Sequence, residues 1–168
     1  MRYFIFTFML FAVLGCGSKV ETKQINQQKE VPKEQSKTDL KSNQAIIEAD
    51  VSPMGVFAKN SKSWKPSESD VAAAEKVLLF AFDDQKRGTV NRVLGKTPDD
   101  YNQQYIGAEY ENGDKYVWIN CFCKSQESDF KDWKTKLVFV KDGGNCFINV
   151  LINLTKNTYE EFNVNGNG

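Results

Sequence analysis

The hydrophobic and polar positions divide the chain into an apolar start, a polar stretch, and a long region with regularly spaced apolar residues. Residues 3–14 are almost continuously apolar, whereas residues 17–44 hold only isolated aliphatic side chains without a helical or strand period. So little apolar surface cannot offset the entropy of an ordered chain. We therefore predict a disordered polar tether over residues 16–45 and a single folded domain over residues 46–168, starting between residues 45 and 62.

The clearest helix is predicted directly after Pro66. Ser67 and Asp70 have the spacing of a capping box, in which each side chain bonds the backbone N–H of the other residue. Gly88, which follows two basic residues, marks the expected end of the helix. The apolar positions in between have helical spacing and form one face: Val71, Ala74, Leu78, Ala81 and Phe82, widened by Val77 and Leu79.

Beyond the helix the pattern indicates strands separated by turn sequences. The predicted strands are residues 102–111, 115–123, 137–141, 146–154 and 158–164. A helix followed by strands is typical of an α+β fold. We expect one N-terminal helix packed on a curved antiparallel sheet of about four to five strands.

The strongest turn signal is Asn112-Gly113, which suits a two-residue hairpin loop. That loop would pair Ala108 with Val117. It would also place four aromatic residues on one face of the sheet as a possible binding face for a peptide or sugar: Tyr105, Tyr116, Trp118 and Phe122. The alternative is that this face is covered by the helix, or by an arm formed from the apolar residues within 46–57.

Composition and charge restrict the chemistry. Lys and Arg together number 22, as do Asp and Glu, and the chain has no histidine. The absence of histidine excludes Ser-His-Asp and Cys-His mechanisms and histidine-ligated zinc. The carboxylates show no spacing typical of a catalytic pair. We therefore expect no enzymatic activity, no metal site, no cofactor, and no nucleic-acid partner.

Besides Cys16 the chain has Cys121, Cys123 and Cys146. We predict a disulfide between Cys123 and Cys146, with Cys121 as a buried free thiol. The alternatives are a bond from Cys146 to Cys121, three buried thiols, or redox chemistry. In a simple meander, Cys123 and Cys146 would lie about 25 Å apart, which is beyond disulfide reach. The bond therefore requires strand 146–154 to pair beside strand 115–123, with a loop over residues 124–135 making the crossing.

The first residues point to export. A basic start and an apolar run too short to span a bilayer lead into Val13-Leu14-Gly15-Cys16. This sequence resembles the lipobox of bacterial lipoproteins, which implies a signal peptide over residues 1–15, cleavage before Cys16 and a diacylglycerol on its thiol. The implied partner is the lipid bilayer, because two acyl chains give stable anchoring. Gly17 favours the outer membrane, with the domain facing the periplasm or the cell surface.

Two further resemblances concern the domain. The stretch 104–107, the predicted strand portion 118–123 and the turn Asp142-Gly143-Gly144 resemble those of small exported bacterial proteins of unknown activity, and this resemblance covers residues 64–168. The segment 103–107 resembles the Gln-x-Val-x-Gly signature of cystatins, which implies inhibition of cysteine proteases. We expect a membrane-anchored envelope lipoprotein whose non-catalytic domain binds another envelope protein or a ligand. The alternatives are a protease inhibitor or effector, and an enzyme of unrecognised class.

Overall fold

The computed structural model describes residues 39–50, 54–88, 93 and 95–166. This part of the chain has an α+β fold with one long helix and a mixed six-stranded sheet. The helix is α1 (Glu68–Arg87). The strands are β1 (Gln44–Ile46), β2 (Lys62–Trp64), β3 (Tyr101–Glu109), β4 (Lys115–Cys123), β5 (Phe147–Asn153) and β6 (Thr158–Val164). Cys16 and the expected signal peptide lie outside the described residues.

The sheet order is β1-β3-β4-β5-β6, and β2 pairs with β3 as well. Both β1 and β2 use the edge of β3 that faces away from β4. β1 runs parallel to β3, whereas the other pairs are antiparallel. The expectation of a purely antiparallel sheet was therefore wrong. The sheet also begins at Gln44, within the range that we had assigned to the tether.

Helix α1 begins and ends at the predicted residues. The backbone N–H of Asp70 donates to Ser67 Oγ at 3.2 Å, and the backbone N–H of Ser67 donates to Asp70 Oδ2 at 2.8 Å. This reciprocal pair is the predicted capping box. At the other end, the N–H of Gly88 donates to the carbonyl of Asp84. The predicted face is buried except for Leu79, which is 49% exposed.

The sheet has two buried faces. The first, here called the helix face, shares one apolar cluster with α1. Its members from the strands include Tyr105, Val117, Ile119, Ile148, Val150 and Ile152. Phe82 of α1 joins this cluster through edge-on contacts with Tyr101 and Phe162, at centroid distances of 5.6 and 5.3 Å. The opposite side, here called the second face, carries Ile106, Ala108, Tyr116, Trp118, Phe122 and Leu151.

The β3–β4 hairpin differs from the prediction by one residue. Glu109 pairs with Lys115, and the N–H of Tyr110 donates to the carbonyl of Asp114 at 2.9 Å. Residues 111–113 therefore form a three-residue loop, with Gly113 at a φ of +81°. Because strand side chains alternate between faces, this shift exchanges the faces of β3 relative to β4.

The crossing between β4 and β5 follows the topology that the disulfide requires. β5 pairs directly with β4, from Phe122 with Phe147 to Tyr116 with Asn153. The predicted strand 137–141 is absent, because this stretch lies across the second face instead of joining the sheet. We call residues 124–146 the crossing segment. None of the helices in the described ranges has both the length and the apolar composition that crossing a bilayer requires.

Candidate functional site

The predicted aromatic binding face is not an open platform. Tyr105, Tyr116, Trp118 and Phe122 are all buried, with exposed fractions of 8% or less. Tyr105 lies on the helix face, because of the register shift, while the other three lie on the second face. The four residues therefore do not form one surface, and this prediction was wrong.

The crossing segment packs on Phe122 of the second face, whereas Tyr110 stacks on Tyr116 at a centroid distance of 3.9 Å. Phe130 and Trp133 contact Phe122 edge-on, at centroid distances of 5.4 and 5.6 Å. Trp133 is only 3% exposed, and Val138 is buried beside it. These contacts bury large aromatic surfaces. That burial stabilises the packing of the crossing segment on the sheet.

A buried amide network fixes the segment more specifically. The Gln104 Nε2 donates to the carbonyls of Trp133 at 2.5 Å and Lys136 at 2.7 Å. The Gln104 Oε1 accepts from the Val138 N–H and from Asn120 Nδ2, both at 2.9 Å. Gln104 thus uses its full hydrogen-bonding capacity. These side-chain bonds satisfy backbone groups of the crossing segment that would pair with a neighbouring strand if the segment belonged to the sheet.

Asn120 extends this network across β4. Its Nδ2 also donates to the Val138 carbonyl at 2.7 Å, and its Oδ1 accepts from Asn149 Nδ2 at 2.7 Å. Both backbone groups of Val138 are therefore bonded to buried side-chain amides. Such satisfied networks specify one arrangement, because an alternative arrangement would leave buried polar groups unpaired.

Phe139 lies next to this fixed point and is 76% exposed. It lines two clefts. One, of about 500 Å³, runs along residues 129–139, and its wall includes Phe130, Leu137 and Lys136. The other, of about 300 Å³, lies over Trp118, Phe147 and the start of β5. An exposed aromatic ring therefore lies between two clefts with mixed apolar and charged walls.

The cysteines form a second candidate site. Cys123 and Cys146 form a disulfide, with a Cα–Cα distance of 4.8 Å. Lys96 Nζ lies 2.8 Å from Cys123 Sγ and 3.3 Å from Cys146 Sγ. Cys121 is a buried free cysteine, and burial raises the pKa of its thiol well above the ordinary range. The predicted pairing and the predicted free thiol are both present in the structure.

Several tyrosines among the other titratable groups have raised pKa values. Burial, followed by a hydrogen bond to Glu160, raises the pKa of Tyr116 to about 12. Among the residues that the structure describes, no group of three or more Cys, Asp or Glu side chains could hold a metal ion. The segment 103–107 lies inside β3 and is buried, so it does not form the hairpin tip that the cystatin signature forms.

Sequence reasoning missed the residues that define both sites. Gln104 and Asn120 are amides at inward positions of strands, a pattern that signals a buried network only when the second covering layer is known. Phe139 was assigned to a strand, and Lys96 was not singled out. Comparisons with protein-family models, with curated proteins and with solved structures found no match.

Proposed function

We propose that this protein is a lipid-anchored envelope protein whose non-catalytic domain binds another envelope protein or ligand at Phe139 and its two flanking clefts. The observation that carries the binding site is the contrast between Phe139 and Val138. Val138 is buried with both backbone groups bonded to side-chain amides. Phe139, one residue away, is 76% exposed.

This contrast matters because fixing the position of an exposed aromatic ring does not contribute to the stability of the fold. Interaction sites concentrate their energy in a few aromatic anchors, and fixing the anchor beforehand reduces the entropy lost on binding. The polar side chains beside the clefts, such as Lys136 and Lys141, would form the solvated rim of such a site.

The anchor rests on Val13-Leu14-Gly15-Cys16, the lipobox-like sequence. A cleaved chain with a diacylglycerol on Cys16 would be tethered to the outer membrane. The polar stretch that follows would reach roughly 30 Å if disordered, so the domain could stand clear of the lipid. The Cys123–Cys146 disulfide supports an exported location, since such bonds persist in oxidising compartments.

A photo-crosslinking amino acid placed at position 139 of the full chain, in cells, tests the binding site. We expect a discrete adduct with one envelope component. The matched control is position 80, because Phe80 is also a large exposed apolar residue, 58% exposed, but lies on α1. Equal labelling at positions 139 and 80, or no adduct at 139, would contradict the proposal.

The same site can be tested by its sensitivity to truncation. Phe139→Ala should leave stability unchanged within about 0.5 kcal/mol, because the ring is exposed, and should abolish the adduct formed from a crosslinker at the neighbouring Lys141. Phe80→Ala should leave that adduct intact. Loss of the adduct in both variants would indicate that general surface hydrophobicity, and not this site, holds the partner.

A further inference from the structure

The disulfide lies against a lysine side chain. Lys96 Nζ contacts both sulfur atoms, at 2.8 Å for Cys123 and 3.3 Å for Cys146. It also lies 5.5 Å from the centroid of the Tyr101 ring. Within the described ranges, no carboxylate lies within ion-pair distance of Lys96. The positive charge of the Lys96 ammonium therefore lies against the two sulfur atoms.

Other charged residues lie near Lys96 and the disulfide. Lys124 follows Cys123 directly in the chain, and Asp100 interacts electrostatically with both Lys96 and Lys124. The carboxylate of Asp100 is bound by the N–H and hydroxyl of Thr97, at 2.7 and 3.0 Å. These contacts thus place the ammonium of Lys96 at the two sulfur atoms, while the Asp100 carboxylate is engaged by Thr97. A positive environment stabilises a thiolate over a thiol.

The two cysteine residues differ in exposure. Cys123 is only 4% exposed, whereas Cys146 is intermediate in exposure. Cys146 is therefore the expected point of attack for an external nucleophile. The sulfur that would then leave, Cys123, is the one closest to Lys96. The geometry combines an accessible point of attack with a leaving group beside a cation.

We propose that the Cys123–Cys146 bond is a thiol–disulfide exchange site for thiols of small molecules or proteins, in which Lys96 stabilises the thiolate of Cys123 as it leaves. A thiolate RS⁻ forms a bond to Cys146 Sγ while the Cys123–Cys146 bond breaks, and the bonding electron pair stays on Cys123 Sγ. A second RS⁻ then displaces Cys146, which yields RSSR. The two thiols lose two electrons, the protein disulfide gains them, and the two thiol protons pass to solvent or to the cysteine sulfurs.

Exchange at this bond has a structural consequence. The disulfide closes the crossing segment at both of its ends, so reduction removes a covalent constraint from the segment that carries Phe139. The amide network of Gln104 would still hold the centre of the segment. The exchange activity itself depends only on the disulfide and Lys96, and does not depend on whether Phe139 binds a partner.

The first test measures how the rate of cysteine alkylation by iodoacetamide depends on pH. The protein is the reduced full chain with Cys16→Ser, purified in detergent. An ordinary cysteine shows a pH midpoint near 8.5. Peptide mass spectrometry monitors alkylation at Cys123 itself. We expect the pH midpoint of its alkylation rate to lie at least about one pH unit below that of an ordinary cysteine. A Cys123 midpoint above about 7.5, less than one pH unit below that of an ordinary cysteine, would overturn the proposal, and this result needs no change to Lys96.

The second test assigns the effect to Lys96. Lys96→Met should raise the Cys123 midpoint toward that of an ordinary cysteine and slow reduction by glutathione about 3- to 10-fold, because a more basic thiolate leaves more slowly. Lys96→Arg should retain the low midpoint, since it keeps the charge. Lys59→Met, at an exposed lysine outside this cluster, is the control and should change neither quantity.

Two outcomes would separate charge from packing. If Lys96→Met matches the wild type, or if Lys96→Arg behaves like Lys96→Met, the cation does not stabilise the leaving thiolate and the proposal fails. If Lys96→Met does not fold, shown by loss of its circular dichroism, the wild-type midpoint and Lys96→Arg decide the question.

Discussion

The bond between Cys123 and Cys146 joins the adjacent ends of β4 and β5 and closes the crossing segment into a loop. The two cysteines lie immediately outside the Phe122–Phe147 pair, where a covalent link does not disturb the ladder. Between these ends the segment is held by aromatic contacts and by Gln104. One irregular stretch thus depends on covalent, apolar and polar restraints together.

Removal of the disulfide should lower the free energy of unfolding substantially. Cys123 and Cys146 are separated by 23 positions, and closing a loop of that length contributes about 3 kcal/mol in the chain-entropy model. We expect Cys123→Ala/Cys146→Ala to lose about that amount in urea unfolding. Reductant should destabilise the wild type similarly but leave the double variant unchanged. A double variant as stable as the oxidised wild type would show that the bond does not constrain the unfolded chain.

Replacement of Gln104 by Met should loosen the crossing segment while preserving the side-chain volume. The Val138 N–H and the carbonyls of Trp133 and Lys136 would lose Gln104 as their partner, whereas Asn120 Nδ2 would keep its bond to the Val138 carbonyl. A buried polar group without a partner costs about 1–3 kcal/mol, so we expect a loss of about 2–4 kcal/mol after partial rehydration.

Hydrogen–deuterium exchange can locate that loss. In Gln104→Met, the amide of Val138 should exchange much faster, whereas amides at the centre of α1 should follow only the global change in stability. Asn163→Ala, at an exposed site on β6, is the control. Unchanged protection of Val138 would mean that the aromatic contacts alone hold the segment.

The sequence predicted the elements whose signals are local. Helix α1 has a capping box, an apolar face and a terminal glycine, and its bounds were correct. β4 and β6 were also predicted at their observed bounds. The Cys123–Cys146 disulfide was predicted over several alternatives, and it required β4 to pair with β5, as observed.

The errors came from features that depend on tertiary partners. The hairpin accommodates three loop residues, and a single-residue shift moved Tyr105 to the helix face. The apolar stretch at residues 137–141 has the composition of a strand, but its backbone bonds to side-chain amides. β1 and β2 have only three residues each, too few to show a periodic pattern. Lys96 meets the cysteines across 27 and 50 positions of chain, which spacing cannot reveal.

The lipid anchor gives a prediction about the N-terminus. Mass spectrometry of the mature protein should find a chain that begins at Cys16 and carries a diacylglycerol. Cys16→Ser should lack the diacylglycerol mass and should keep residues 1–15, because the lipobox loses its cysteine. Cys121→Ala, at a cysteine inside the domain, should still begin at Cys16 and carry the diacylglycerol. An unmodified Cys16, or cleavage at another position, would refute the anchor.

The last prediction concerns stability in acid. Hydrogen bonds from Lys156 and Asn153 lower the pKa of Asp114 below its ordinary value. The Lys156 Nζ lies 2.8 Å from Asp114 Oδ2, and Asn153 Nδ2 lies 3.2 Å from the same oxygen. Because the folded state stabilises the charged carboxylate of Asp114, the unfolded state binds a proton there at a higher pH than the folded state does. The stability from Asp114 is therefore fully present above about pH 4, and is lost as the pH falls through the lowered pKa.

Asp114→Asn removes this titration while preserving the shape of the side chain. The wild type should exceed Asp114→Asn in urea midpoint at pH 5, and the difference should shrink steadily toward pH 2. Lys156→Met should reduce the same acid-side slope, because it removes the largest cause of the lowered pKa. Glu111→Gln, at an exposed carboxylate in the loop of the same hairpin, should leave the slope as it is. A difference between wild type and Asp114→Asn that stays constant from pH 5 to pH 2 would mean that the carboxylate's charge does not contribute to stability.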